Sequence, residues 1–258
     1  MVKPKVGLSM LYCLGEPFKK MTEQLIAVKT KYVEIVDDGF HTLNKQRVSV
    51  LRDIGESYGL KYSVHAPFAG INIALQSKPL LNATLKRLKQ SLINANALNC
   101  HLWVFHPGMK TGISMFYPGL DWTRNLESVR LLLKFAGNCG VEVAIENVIS
   151  MFLVRNVEDF TKFYSEINEN VGLAFDTGHA NINGQVEDFL TKLSDKIVHV
   201  HAHDNLGESD QHLGIGYGNI DWEKAARLLK RASFDKTIVI ESVEHVEESM
   251  AKIEKLLA

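Results

Sequence analysis

Residues 142–176 read EVAIENVISMFLVRNVEDFTKFYSEINENVGLAFD, and this stretch contains one complete strand–helix–strand unit. The β-branched run at 142–146 predicts a strand, the segment of helical period at about 156–168 predicts a helix, and the apolar run at 172–176 predicts a second strand. Two strands that are connected through a helix run parallel to each other. The same alternation continues along the chain in both directions.

Eight short strands, each followed by a helix, are predicted from the full sequence. The candidate strands are 6–10, 32–37, 61–65, 101–106, 142–146, 172–176, 197–201 and 237–241, and the candidate helices are roughly 17–29, 44–58, 80–99, 122–138, 156–168, 185–194, 221–233 and 245–257. No long linker or break in composition interrupts them. We therefore expect an α/β fold, a single (β/α)8 TIM barrel, that spans residues 1–258 as one domain.

An open, doubly wound sheet is the alternative architecture for alternating strands and helices. Such a sheet usually begins with a glycine-rich turn after its first strand. The sequence Gly7-Leu-Ser-Met does not have that pattern. The regular count of eight favours the barrel.

The overall composition excludes several classes of protein. Lys and Arg total 29 against 30 Asp and Glu, so no global charge draws the chain to nucleic acid or to a membrane. The cysteines Cys13, Cys100 and Cys139 are widely spaced, which is typical of a reducing compartment. The N-terminal stretch has no apolar signal segment, and no apolar run reaches the roughly 18 residues of a membrane span. We expect a cytoplasmic protein that does not bind a membrane.

Six consecutive predicted strands, the third to the eighth, end in a histidine or an acid. These residues are His65, His106, Glu146, Asp176, His201 and Glu241. In a parallel barrel the carboxyl ends of all strands meet at one mouth, where active sites are built. The strand ends therefore predict one polar cluster.

The alternation of side chains along each strand supports this cluster. If Glu146 points into the barrel, Ala144 does so as well, while Val143 and Ile145 face the helices. Carboxylates packed together repel each other, and a cation removes the repulsion. Mixed imidazole and carboxylate ligands suit zinc or manganese better than calcium.

The strand-end motifs resemble the endonuclease IV and xylose isomerase-like barrel superfamily. The motifs are His65-Ala-Pro, His106-Pro-Gly, Ile145-Glu-Asn, Phe175-Asp-Thr-Gly-His-Ala, His201-Ala-His-Asp and Asp210-Gln-His. The resemblance runs from about residue 60 to the end of the chain. It implies a divalent metal centre, with Zn²⁺ as the first expectation and Mn²⁺ or Mg²⁺ as alternatives.

The two branches of this superfamily imply different numbers of ions. Sugar isomerases and epimerases hold one ion, here by Glu146, Asp176, His201 and Glu241. Endonuclease IV enzymes add a second ion, here at His65, His106 and a bridging Glu146, and a third at His179, Asp210 and His212. Every one of these positions carries a suitable ligand: His65, His106, Glu146, Asp176, His179, His201, Asp210, His212 and Glu241.

The complete ligand set makes an endonuclease IV-like phosphodiesterase that cleaves abasic DNA our first hypothesis. Three divalent ions would leave the cluster positive and ready to bind a phosphodiester and a hydroxide, whereas one ion would leave it negative. In this interpretation Glu146 bridges two ions and Glu241 orients the attacking hydroxide.

A single-metal isomerase or epimerase that acts on a small sugar or a sugar phosphate is the alternative. Asp37 and Asp38 follow the second strand where endonuclease IV enzymes carry a basic loop, and Glu34 is an inward acid that resembles the sugar branch. Glu146 and Glu241 would then move the proton, and His179 would hold a hydroxyl. A barrel that keeps its metal only for stability is a third possibility.

Three further residues are candidates for substrate contact. They are Asn72, in a loop similar to the endonuclease IV loop that probes the minor groove, His203 and Glu34. The apolar segments 115–117 and 151–153 are predicted tips of the fourth and fifth mouth loops. They suit a wedge in a base stack, a lid over a small substrate or a subunit contact.

Overall fold

Eight parallel strands close into a barrel in chain order, and the computed structural model describes residues 3–258. The strands are β1 Lys5–Ser9, β2 Tyr32–Val36, β3 Lys61–His65, β4 Leu102–Phe105, β5 Val143–Glu146, β6 Gly172–Asp176, β7 Ile197–Ala202 and β8 Thr237–Ile240. Strand β1 pairs with both β2 and β8, so the sheet has no free edge. The predicted TIM barrel is confirmed, and the open doubly wound sheet is wrong.

Helices cover the outside of the barrel. They are α1 Phe18–Ala27, α2 Lys45–Tyr58, α3 Lys78–Ala97, α4 Leu120–Cys139, α5 Val157–Ile167, α6 Thr177–Ile182, α7 Val186–Lys192, α8 Trp222–Arg231 and α9 Val246–Leu257. Short 3-10 helices occupy Met10–Cys13, Gly39–His41 and Gly112–Met115. In residues 3–258 we find no helix that is both long and apolar enough to span a membrane.

The predicted alternation between the inner and outer faces of the strands is confirmed. Ile145 and Phe175 belong to the large apolar core between the strands and the helices. Ala144 and Ala174 belong instead to a small separate cluster with Leu102 and Val104, on neighbouring strands inside the barrel. Small residues therefore lie beneath Glu146 and Asp176, which leaves room for a site above them.

An irregularity in β7 places polar residues inside the barrel. The register between β6 and β7 shifts after Leu173, so that Ala174 pairs with His199 and Val198 is the extra residue. Val198 packs against the small inner cluster, and His199 and His201 follow at alternate positions with no exposed surface. The bulge thus sets which residues of β7 point towards the barrel axis.

Candidate metal centre

A cavity of about 260 Å³ lies at the carboxyl ends of the strands. One part of its wall is ionisable and consists of His65, His106, Glu146, His179, Asp210, His212 and Glu241. The other part is apolar and consists of Leu11, Val36, Phe68, Val148, Ile149 and Phe152. Of the nine expected ligands, only Asp176 and His201 are absent from the wall, and both are buried next to it.

Glu146, the last residue of β5, is the centre of the ionisable cluster. Its Oε2 lies 3.2 Å from Nε2 of His65, 3.3 Å from Nε2 of His106 and 3.4 Å from Nδ1 of His201. Its Oε1 lies 3.3 Å from Nδ1 of His179. A carboxylate with basic groups on several sides suits a bridging ligand, which is the role that the resemblance implies for Glu146.

The residues expected to hold a single ion surround one nitrogen of His201. Nδ1 of His201 lies 3.4 Å from Glu146, 3.6 Å from Glu241 and 3.9 Å from Asp176. This nitrogen is buried and has no hydrogen-bond partner within residues 3–258. An unpartnered imidazole nitrogen that faces three carboxylates suits a divalent cation, so these residues fit the implied metal.

The remaining expected ligands form two further groups. His65, His106 and Glu146 offer ligand atoms within 4.8 Å of one another. Oδ2 of Asp210 lies 3.3 Å from Nε2 of His179 and 3.2 Å from Nε2 of His212. Both groups therefore have the composition that the resemblance implies.

Three of the histidines are oriented by backbone carbonyl groups. In His65, Nδ1 lies 2.8 Å from the carbonyl oxygen of Ala66. In His179, Nδ1 lies 2.9 Å from the carbonyl oxygen of Asn147, and in His212 it lies 2.9 Å from that of Glu241. A carbonyl acceptor at Nδ1 fixes the proton there and leaves Nε2 free for a ligand. This arrangement is typical of metal-binding histidines.

The short helix α6 places His179. Asp176 ends β6 and caps α6, because its Oδ1 accepts a hydrogen bond of 2.7 Å from the His179 backbone nitrogen. Asn147 holds the same corner, since its side chain bonds to both the backbone nitrogen and the carbonyl of Asp176. Helix α6 was not among the predicted helices, and it has only six residues. Its signal was the Asp-Thr-Gly-His motif itself.

The carboxylates of the cluster favour the protonated forms of two neighbouring histidines. Burial acts to lower the pKa of His65, but the hydrogen bond and charge of Glu146 raise it to about 9. Burial likewise opposes the effect of Asp210 on His212, whose pKa rises to about 9. Burial would raise the pKa of Glu146, yet His106 and His201 hold it well below its usual value. The negative charge of the carboxylates therefore favours protonated imidazoles, and the same charge suits a metal ion.

None of the three residues predicted to contact substrate lies on the cavity wall. Asn72 joins two loops, because its Oδ1 accepts hydrogen bonds from the backbone nitrogens of Ala74 and Met109. His203 is buried, with Nε2 at 3.1 Å from both oxygens of Asp176. Glu34 is buried beneath the cavity. In this structure the polar contacts of Asn72 and of Nε2 of His203 are made within the protein.

Neither Asp37 nor Asp38, the two acids that follow the second strand, lines the cavity. Asp37 is buried and makes a 2.8 Å salt bridge with Arg87. Oδ2 of Asp38 accepts hydrogen bonds from the backbone nitrogens of Phe68 and Ala69. Asp38 thus holds the loop that carries Phe68, whereas Asp37 binds Arg87. Both carboxylates are occupied by contacts within the protein, so they provide no argument about a DNA backbone.

The apolar part of the wall was only partly predicted. Phe152 belongs to the predicted loop tip at 151–153 and lines the cavity, whereas the side chains of 115–117 are exposed and do not. Val36 was overlooked, although it shares the inner face of β2 with Glu34 and strand alternation reveals it. Leu11 and Ile149 lie in segments without a regular period, so the sequence contained no signal for them.

The comparisons with known proteins agree with the fold. A family model described as a xylose isomerase-like TIM barrel matches residues 25–257. An uncharacterised protein of Methanocaldococcus jannaschii is 30% identical over 244 residues, which cover 92% of this chain and 83% of that relative. The D-psicose 3-epimerase of Ruminiclostridium cellulolyticum is 27% identical over 125 residues, 47% of this chain and 41% of that enzyme.

Among solved structures, the crystal structure of a D-tagatose 3-epimerase-like protein superposes with a TM-score of 0.88 at 28% identity. The alignment covers 98% of this chain and 100% of that chain. None of these relatives is described as a nuclease, so the expectation of an abasic-site endonuclease gains no support from them. The predicted superfamily is confirmed, and the match extends well upstream of residue 60. The chain belongs to the xylose isomerase-like TIM barrel family.

Proposed function

We propose that this protein is a metal-dependent epimerase or isomerase of a small, unphosphorylated sugar. The observation that carries the proposal is the composition of the cavity wall. Two glutamates, Glu146 and Glu241, reach one small space together with Asp210, imidazoles and apolar side chains, and in the described chain no Lys or Arg lines it. The similarity to epimerases supports the same conclusion.

The two carboxylates suit a proton transfer next to a carbonyl group. Glu146 ends β5 and Glu241 directly follows β8, so they enter the cavity from separate parts of the barrel. One carboxylate can take a proton from a carbon while the other returns a proton to its opposite face. A divalent ion held by Glu146, Asp176, His201 and Glu241 would supply polarisation of the sugar oxygens.

The remaining imidazoles suit the hydroxyl groups of a sugar. His65, His106 and His212 line the cavity with ring nitrogens that donate or accept hydrogen bonds. The rings of Phe68 and Phe152 lie beside those of His65 and His106, with centroids 5.5 Å apart in each pair. These apolar side chains would pack against the carbon face of a sugar and exclude water.

Size and charge argue against larger or anionic substrates. A volume of about 260 Å³ lies slightly below the ~300–1,000 Å³ of most small-molecule sites. Two arginines near the mouth are engaged by other groups: Arg155 contacts Asp159 at 3.0 Å, and Arg47 bonds to the Thr42 oxygen. Recognition of a phosphate backbone relies on Lys and Arg, which this wall lacks.

Deuterium exchange tests the proposal. The metal-loaded protein is incubated in D₂O with free ketopentoses and ketohexoses, among them D-psicose and D-tagatose, and NMR follows the carbons beside the carbonyl. We expect deuterium at one carbon together with the epimer or the aldose. Absence of exchange across the panel, or cleavage of an abasic duplex by the same preparation, would overturn the proposal.

A further inference from the structure

Glu34 is an acid inside the barrel, one layer beneath the candidate metal centre. It lies in the middle of β2, pairs with Ser63 in β3, and has no exposed surface. Its flanking residues Val33 and Ile35 belong to the apolar core outside the strands. An ionised carboxylate is costly to bury without partners, so its contacts indicate its role.

The Glu34 carboxylate reaches across the barrel to β7. Oε2 lies 3.0 Å from Nε2 of His199 and accepts a 3.1 Å hydrogen bond from Oγ of Ser63. Oε1 lies 3.1 Å from Nε2 of His201. Each carboxylate oxygen thus faces a different histidine, and within residues 3–258 Oε1 makes no hydrogen bond that competes with its contact to His201.

His201 differs from the other histidines of the centre in how it is oriented. His65, His179 and His212 each direct Nδ1 at a backbone carbonyl. Neither ring nitrogen of His201 makes a hydrogen bond of standard geometry within residues 3–258. Its Nδ1 faces the metal-site carboxylates, and its Nε2 forms the close ion-pair contact with Glu34.

We propose that Glu34 is a positioning residue for the metal centre, which keeps the proton of His201 on Nε2 and directs the Nδ1 lone pair towards the ion. A carboxylate behind a metal-bound imidazole fixes its tautomer and increases its basicity. The proposal rests on the metal site of the proposed function, although not on the sugar reaction. It reassigns Glu34 from substrate contact to metal support.

The Zn²⁺ affinity of a charge-removing variant tests this role. Glu34→Gln keeps the size of the side chain and removes its charge, so we expect Zn²⁺ to bind about 10–100-fold more weakly. Occupancy is read from the ring ¹⁵N signals of His201 itself, in competition with a chelator. Ser63→Ala is the matched control, because Ser63 contacts the other oxygen of the same carboxylate and does not contact His201. We expect little change in its affinity.

Wild-type affinity in Glu34→Gln, or an equal loss in Ser63→Ala, would overturn the proposal. Because the removal of a buried charge also affects folding, the tautomer is read in the wild-type protein as well. Long-range ¹H–¹⁵N correlation of the Zn²⁺-loaded protein should show His201 with hydrogen on Nε2 and zinc on Nδ1. The opposite tautomer would contradict the role of Glu34. A protein that shows the expected tautomer but epimerises no sugar would overturn only the proposed function.

Discussion

At the scale of single residues, Glu241 tests whether the cavity performs acid–base chemistry. The residue follows β8, is buried, and lies 3.6 Å from the nitrogen of His201 that faces the centre. Glu241→Gln keeps the shape but cannot accept a proton. We expect the rate of exchange between sugar and solvent to fall by about 10²–10⁴-fold.

Exchange is measured by NMR at saturating metal, so that a weaker metal affinity does not account for the loss. Glu244→Gln is the control, because Glu244 is exposed and lies only three residues further along the chain. Equal rates in Glu241→Gln and the control would show that Glu241 does not carry the proton.

The histidines of the metal-free centre predict a dependence of stability on pH. The folded pKa values of His65 and His212 are about 9, above the ordinary value of 6.5. Their protonated rings therefore contribute stability that is complete below about pH 6.5 and is lost as the pH rises through about 9. Each group contributes a slope of at most about 1.4 kcal/mol per pH unit.

We expect the free energy of unfolding of chelator-treated protein to fall over this pH range. Urea denaturation at a series of pH values measures it. His65→Gln lacks one of the two groups and should show a shallower decline. A stability that stays level or increases from pH 6.5 to 9 would contradict the assignment.

At the scale of elements, the loop between β7 and α8 carries Asp210 and His212 and is fixed by Asp204. Oδ2 of Asp204 accepts 2.8 Å hydrogen bonds from the Gly216 nitrogen and from Nε1 of Trp222. Gly218 passes so close that a Cβ there would lie 2.2 Å from Oδ1 of Asp204. One buried carboxylate thus holds both ends of the loop on the barrel.

Asp204→Asn places an amide group where a second acceptor oxygen is required. Leaving a buried donor unsatisfied costs roughly 1–3 kcal/mol, so we expect a comparable loss of stability. Hydrogen exchange should become faster in residues 205–219, and urea denaturation should show the loss. Glu208→Gln, in an exposed position of the same loop, should change neither quantity. Unchanged exchange in Asp204→Asn would show that the loop is held by other contacts.

The elements were predictable because their signals are local. All eight predicted strands are within one residue of the observed ends, since β-branched runs and alternation are properties of neighbouring residues. Helix α6 was missed because six residues are too few to show a helical period. The orientation of Asp37 was not predictable, because its partner Arg87 is fifty positions away.

At the scale of the whole molecule, the barrel brings six strand ends to one mouth, and that convergence was predictable from the fold class alone. The identity of the substrate was not. The same ligands suit a sugar enzyme and a phosphodiesterase, and what separates them is the wall between the ligands. That wall depends on residues such as Leu11 and Phe152, which take their places only when the loops pack.

Removal of metal should therefore affect the whole barrel, because the proposed ligands join β5, β6, β7 and the end of β8. An ion at 1,000 times its dissociation constant stabilises the folded state by about 4 kcal/mol. We expect chelation to lower the melting temperature and Mn²⁺ or Zn²⁺ to restore it. Glu146→Gln, which lacks the central carboxylate, should respond much less. Elemental analysis of protein purified without chelator gives the number of ions. About one ion per chain fits a sugar enzyme, whereas about three would favour phosphodiester chemistry. A melting temperature that chelation does not change would show that the cluster holds no structural metal.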